Sequence, residues 1–167
     1  MILAVPPAGV EALTGQTFPN LRPVRVACLD VGLRSLPPGA ANFGLGLDRP
    51  LYFSVHSASA KLAPDGAALI QLAKYLDADS DPAADRAELE QFADLLAPAW
   101  RDHVIMSRFL PAMTVSHAMP GARPPVDALN GVLLAGDWVG DENMLADAAV
   151  SSALRAASSG VAMRAIA

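Results

Sequence analysis

Residues 131–140 have the sequence GVLLAGDWVG, and residues 144–150 have the sequence MLADAAV. The run from Val132 to Ala135 is short, apolar and uncharged, which is typical of a strand buried on both faces. Gly136 permits a tight turn, and Asp137 is the first charged residue after the strand. Small residues then recur along one side of a helical pattern. The stretch therefore predicts a buried strand, a Gly-Asp turn and a closely packed helix.

The predicted turn and helix start form a candidate ligand site. The first N–H groups of a helix are unpaired and carry partial positive charge, so they attract electron-rich groups. We expect Asp141 or Asn143 to cap this helix by accepting hydrogen bonds from some of those groups. A ligand-free β-α unit with a well-capped helix fits the same spacing, and this alternative stays open.

The run AGDWVGDENMLADAAVSSALRAA at 135–157 resembles the C-terminal flavin-binding segment of a superfamily. That superfamily comprises the FAD-dependent amine oxidases, phytoene desaturases and protoporphyrinogen oxidases. The segments RFLPAM at 108–113 and LAVPP at 3–7 resemble it more weakly. The resemblance implies that Asp137 meets the ribityl or pyrophosphate part of FAD. It also implies that amides near Leu145 and Ala146 face the flavin pyrimidine oxygen.

The same resemblance implies the remaining site residues and the activity. Trp138 and Met144 form a wall of the flavin pocket under this interpretation, or pack under the helix as ordinary core residues under the alternative. The implied cofactor-binding residues are Gly136, Asp137, Trp138, Met144, Leu145 and Ala146. The implied reaction transfers a hydride from a small organic substrate to FAD, and no catalytic residue is assigned.

Half of an FAD-binding domain has no counterpart in this sequence. Such a domain begins with a G-x-G-x-x-G turn and has an acidic residue about twenty positions later. Gly44 and Gly46 form a G-x-G, but no third glycine follows at the right distance. We therefore expect the chain to be the C-terminal fragment of a longer oxidoreductase, inactive by itself, with FAD absent or weakly bound. Its expected partner is the missing N-terminal half or a second copy in a homodimer, because an uncovered sheet edge tends to pair. The alternative is a cofactor-free dimerising or regulatory module.

The fold class predicted from the whole chain is α+β, with a mostly antiparallel sheet, few helices and a final β-α unit. Residues 1–20 and 128–167 are assigned to an FAD domain, and residues 21–127 to a substrate-type antiparallel domain. Strands are predicted at 2–5, 24–33, 43–47, 51–55, 57–62, 67–76 and 104–113, and helices at 10–13 and 83–96, the second capped by Ser80 or Asp81.

Composition excludes several classes of protein. The net charge of −5 argues against nucleic-acid binding, which requires a basic surface. The single cysteine, Cys28, cannot form an internal disulfide, so a reducing, cytoplasmic location is expected. No apolar run is long enough to span a membrane, and the three histidines share no metal-ligand spacing. Ser116 and His117 are adjacent, but no nucleophile elbow accompanies them, so a Ser-His-Asp hydrolase is not predicted.

Overall fold

The computed structural model describes residues 1–166 of the chain, and the side chains of residues 1–159. It has the predicted α+β fold, with a five-stranded antiparallel sheet and a small parallel one. The strands are β1 (Ile2–Leu3), β2 (Val24–Leu33), β3 (Phe43–Leu45), β4 (Leu51–Val55), β5 (Ala68–Tyr75), β6 (Val104–Ser116) and β7 (Leu133–Leu134), and the helices are α1 (Pro7–Thr14), α2 (Pro82–Leu96) and α3 (Leu145–Ile166).

The chain forms two compact units. The middle unit comprises residues 25–113, and the terminal unit comprises residues 1–24 and the chain from 114 onward. The assignment of residues 1–20 and 128–167 to an FAD domain, and of 21–127 to a substrate-type domain, stays a prediction.

The middle unit is built on the sheet, in the strand order β3-β4-β5-β2-β6. Alternate side chains of β2, β4 and β5, such as Leu29, Phe53 and Ile70, are buried on one face. Helix α2 packs its Leu89 and Ala93 into the same core. This helix begins as predicted, because the Asp81 carboxylate accepts a hydrogen bond from the Ala84 N–H at 2.8 Å.

The predicted strand at 57–62 is wrong. A 3₁₀ turn covers His56–Ala58, and no strand follows before β5. The Ser57 hydroxyl accepts a hydrogen bond from the Leu69 N–H at 3.0 Å. A side chain therefore takes the place of a backbone partner at the start of β5, and the segment closes the connection between β4 and β5 instead of adding a strand.

The terminal unit contains the predicted β-α unit. Strand β7 pairs in parallel with β1, with Leu133 beside Ile2 and Leu134 beside Leu3. Helix α3 follows β7 after a ten-residue connection, and buries Ala148, Ser152 and Ala156 on one side. Strands and a helix from both ends of the chain thus form one core. Within residues 1–166, no helix has the length and apolar character that crossing a bilayer requires.

Candidate functional site

A cavity of about 390 Å³ lies in the terminal unit, where β7 leads towards α3. Its volume is at the lower end of the range found for ligand sites. The cavity brings together five of the six predicted site residues, which are Gly136, Asp137, Trp138, Leu145 and Ala146. Met144 does not line it, and its side chain is about half exposed. His117, which was not predicted as a site residue, also lines the wall.

Gly136 shapes the cavity because no larger residue fits there. Its φ of +153° is rare for residues with a side chain, and an added Cβ would lie 2.7 Å from the Trp138 Nε1. Its N–H donates a hydrogen bond to the Ser152 hydroxyl on α3 at 3.0 Å. The turn after β7 is therefore attached directly to the helix, and its backbone forms part of the cavity surface.

Trp138 is both a cavity wall and a core residue. Its side chain is almost fully buried and contacts Phe18 edge to face, with 5.1 Å between the ring centroids. Its Nε1–H donates to the carbonyl of Val5, two residues after β1, at 3.2 Å. The polar edge of the indole is thus already paired, so only its apolar surface can contact a ligand.

Asp137 and His117 form a hydrogen-bonded pair in the cavity wall. One carboxylate oxygen lies 2.9 Å from the imidazole Nδ1, and the other accepts the backbone N–H of His117 at 2.8 Å. Burial raises the pKa of Asp137, but the two hydrogen bonds from His117 outweigh it, and this pKa lies below its ordinary value. The two residues are twenty positions apart, so sequence spacing gives no sign that they meet.

The depressed pKa of Asp137 predicts an acid-sensitive contribution to stability. A carboxylate with a lowered folded-state pKa stabilises the protein above its ordinary value, about pH 4, and this contribution is lost as the pH falls through the folded-state pKa. We expect Asp137→Asn to be less stable than wild type at about pH 6. The difference should shrink as the pH falls towards about 3. Urea unfolding at a series of pH values measures this difference in stability. A difference that does not change with pH would contradict the lowered pKa of Asp137.

Helix α3 begins at Leu145, and the predicted cap by Asp141 or Asn143 is wrong. The Met144 carbonyl accepts the first helical hydrogen bonds, from Asp147 and Ala148 at 3.1 and 3.2 Å. The Asn143 side chain donates to the Ser151 hydroxyl instead, at 2.7 Å. Within the described residues, the amides at 145 and 146 have no hydrogen-bond acceptor. They remain available to a ligand.

The turn before α3 has an unusual backbone, held in place by Arg123. Asn143 and Leu145 have φ values of +64° and +52°, which are uncommon for residues other than glycine. The buried Arg123 guanidinium donates to the Asn143 carbonyl at 3.0 Å and to the Ala118 carbonyl at 3.1 Å. Arg123 thus joins the loop after β6 to the turn that exposes the two amides. Nothing in the sequence distinguishes it from a solvated arginine in a Pro-rich loop.

Comparisons with known proteins support the fold and leave the function open. No family model and no curated protein matches the chain. Among solved structures, an oxidoreductase from Methanosarcina mazei is similar to it, with a TM-score of 0.56 and 15% sequence identity. The similarity covers 89% of this chain but only 37% of that protein. The chain thus shares the fold of part of an oxidoreductase and spans well under half of that protein's length.

Proposed function

We propose that this chain is the C-terminal part of an FAD-dependent oxidoreductase of the amine oxidase and phytoene desaturase type. The cavity beside Asp137 would hold the ribityl and pyrimidine part of FAD. The observation that supports this most strongly is the convergence of a carboxylate, a glycine turn and two bare helix-start amides, those of Leu145 and Ala146, on one cavity. Similarity of fold to part of an oxidoreductase is consistent with the proposal.

The residues of the cavity have the chemistry that this half of FAD requires. The flavin pyrimidine carbonyls accept hydrogen bonds, and the amides at Leu145 and Ala146 donate them. The ribityl hydroxyls donate hydrogen bonds, and the Asp137–His117 pair offers acceptors. The methyl side chains of Ala146 and Ala149 leave room beside the helix. The adenosine half of FAD has no matching turn, because the sequence contains no G-x-G-x-x-G.

The protein residues act on binding and charge. A flavin held in this cavity would supply the hydride-accepting chemistry, and that chemistry belongs to the cofactor. The start of α3 lines the cavity and carries partial positive charge, so the amides at Leu145 and Ala146 would favour negative charge at the N1–C2 edge of a flavin. Asp137 anchors the ligand and moves no proton in this account. The substrate is a small organic molecule, such as an amine, a carotenoid precursor or a porphyrinogen.

A cofactor-free dimerising or regulatory module is the second candidate, and one observation favours it. Strand β6 lies at the edge of the five-stranded sheet, and its Ile105 and Met106 are each 65% exposed. Exposed apolar residues on an edge strand are typical of a surface that another chain covers. The partner would be a second copy or the rest of a longer protein, and this partner is required by both candidates.

Ligand titrations distinguish the two candidates. If the cavity holds only the flavin half, FMN and FAD should bind with equal affinity, with a Kd on the order of 1 mM, and ADP should not compete. Asp137→Asn should weaken both, whereas Asp147→Asn, an exposed carboxylate in the first turn of α3, should leave them unchanged. Equilibrium dialysis measures the affinities. Absence of flavin binding at several millimolar ligand would favour the cofactor-free module.

A further inference from the structure

The Asp137 carboxylate, the expected ligand contact, already accepts hydrogen bonds within the protein. Both of its oxygens accept hydrogen bonds from His117, one from the imidazole and one from the backbone N–H. Its side chain is 20% exposed, whereas that of His117 is 35% exposed. The imidazole is therefore the more accessible member of the pair in the cavity wall.

The hydrogen bond to Asp137 also determines what His117 offers to a ligand. A carboxylate accepts hydrogen bonds, so the Nδ1 of His117 carries the proton that they share at 2.9 Å. A neutral imidazole protonated on Nδ1 has its lone pair on Nε2. Within the described residues, Nε2 has no hydrogen-bond partner. The pair thus supplies an oriented acceptor that is suited to a hydroxyl or N–H group.

We propose that His117, oriented by Asp137, is the residue that accepts a hydrogen bond from a ribityl hydroxyl of the flavin. Asp137 is then a positioning residue that acts through the imidazole. This inference rests on the proposed function and refines it, because it moves the ribityl contact from the carboxylate to a residue that the sequence did not indicate. The amides of α3 would then contact the flavin ring, and His117 would contact the sugar-alcohol chain.

Two ligands separate the ribityl contact from the ring contact. Riboflavin carries the ribityl hydroxyls, and lumiflavin has a methyl group in their place but keeps the same ring. We expect His117→Asn to weaken riboflavin binding about three- to tenfold and to leave lumiflavin binding unchanged. An asparagine at this position keeps an N–H for Asp137 and lacks Nε2, so the cavity wall is preserved. Binding should be measured in the same buffer for the wild type and every variant.

The matched variants are Asp137→Asn and Asp147→Asn. The first should reproduce the riboflavin-specific loss, because the single oxygen of an asparagine amide cannot replace both carboxylate oxygens that accept the backbone and imidazole N–H groups of His117. The second should change nothing. The ¹⁵N chemical shifts of the His117 ring report the tautomer independently of any ligand. They should show an Nδ1–H imidazole in wild type and in Asp147→Asn.

The outcomes distinguish failure of the proposed function from failure of the inference about His117. If neither riboflavin nor lumiflavin binds to the wild-type chain, the proposed function fails and this inference fails with it. If both bind and His117→Asn affects them equally, or affects neither, the inference alone is overturned. An Nε2–H tautomer in the wild-type spectrum would also overturn it.

Discussion

Replacing Lys74 by methionine is expected to lower the free energy of unfolding of the middle unit by about 3–5 kcal/mol. The Lys74 Nζ lies 2.7 Å from a carboxylate oxygen of Asp85 and 2.6 Å from one of Glu88. The Asp85 side chain is only 2% exposed, and its other oxygen has no hydrogen-bond partner within the described residues. Methionine fills similar space but leaves a buried carboxylate without a counter-charge.

Most of the expected destabilisation comes from leaving the Asp85 carboxylate buried without a counter-charge. The lost hydrogen bond itself contributes less. The hydrogen bonds that Lys74 donates to Asp85 and Glu88 raise the pKa of Lys74, and Lys74 in turn lowers the pKa of Glu88, in both cases against an opposing effect of burial. Glu88 keeps a second partner, since the Arg49 guanidinium lies 2.9 Å from it. Among the residues that the structure describes, Asp85 has no second cationic partner, so most of the loss is assigned to it.

Urea unfolding of Lys74→Met, Lys74→Met/Asp85→Leu and Arg86→Met tests this assignment. The double variant should recover most of the loss, because an apolar pair of similar size replaces the buried ions. Arg86 forms an exposed i,i+4 pair with Glu90, and its loss should cost about 0.5 kcal/mol or less. A Lys74→Met variant that loses as little as Arg86→Met would contradict the account.

The second large effect is expected in the terminal unit. Trp138→Ala should lower the free energy of unfolding of that unit by about 3–5 kcal/mol, because a nearly fully buried indole leaves a large cavity between Phe18 and the turn at Gly136. The Val5 carbonyl also loses its hydrogen-bond donor. Far-UV circular dichroism during urea unfolding measures the change without relying on the fluorescence of the deleted residue.

Trp138→Phe is the matched control. It keeps an aromatic ring beside Phe18 and loses only the Nε1 hydrogen bond and part of the volume, so its effect should be clearly smaller than that of the alanine variant. Equal losses in the two variants would mean that the bond to Val5, and not packing, determines the contribution of Trp138.

Local patterns in the sequence predicted the elements that depend on neighbouring residues. The apolar run before Gly136 is a strand, and Asp81 caps α2, because each depends on residues within a few positions. The α+β class follows from the same patterns. The strand predicted at 57–62 is wrong because the Ser57 hydroxyl accepts the hydrogen bond of the Leu69 amide. Intrinsic strand propensity does not describe a side-chain bond of this kind.

The parts of the site that were missed depend on distant contacts. Asp137 meets His117 across twenty residues, and Arg123 reaches the Asn143 carbonyl across the same separation. The cap predicted for α3 failed because Asn143 adopts a left-handed backbone and bonds Ser151. The sequence thus indicated five of the twelve residues that line the cavity, and gave no information about how their side chains pair.

We propose that the bare amides at the start of α3 and the Asp137–His117 pair hold the flavin half of FAD. The most direct measurement is the change in ¹H–¹⁵N NMR signals of the chain on addition of FMN. The account predicts concentration-dependent shifts for the amides of Leu145 and Ala146 and for His117, with little change at Leu29 in the middle unit. Shifts confined to other residues would contradict this proposal. The absence of any shift at FMN concentrations well above about 1 mM would contradict it as well.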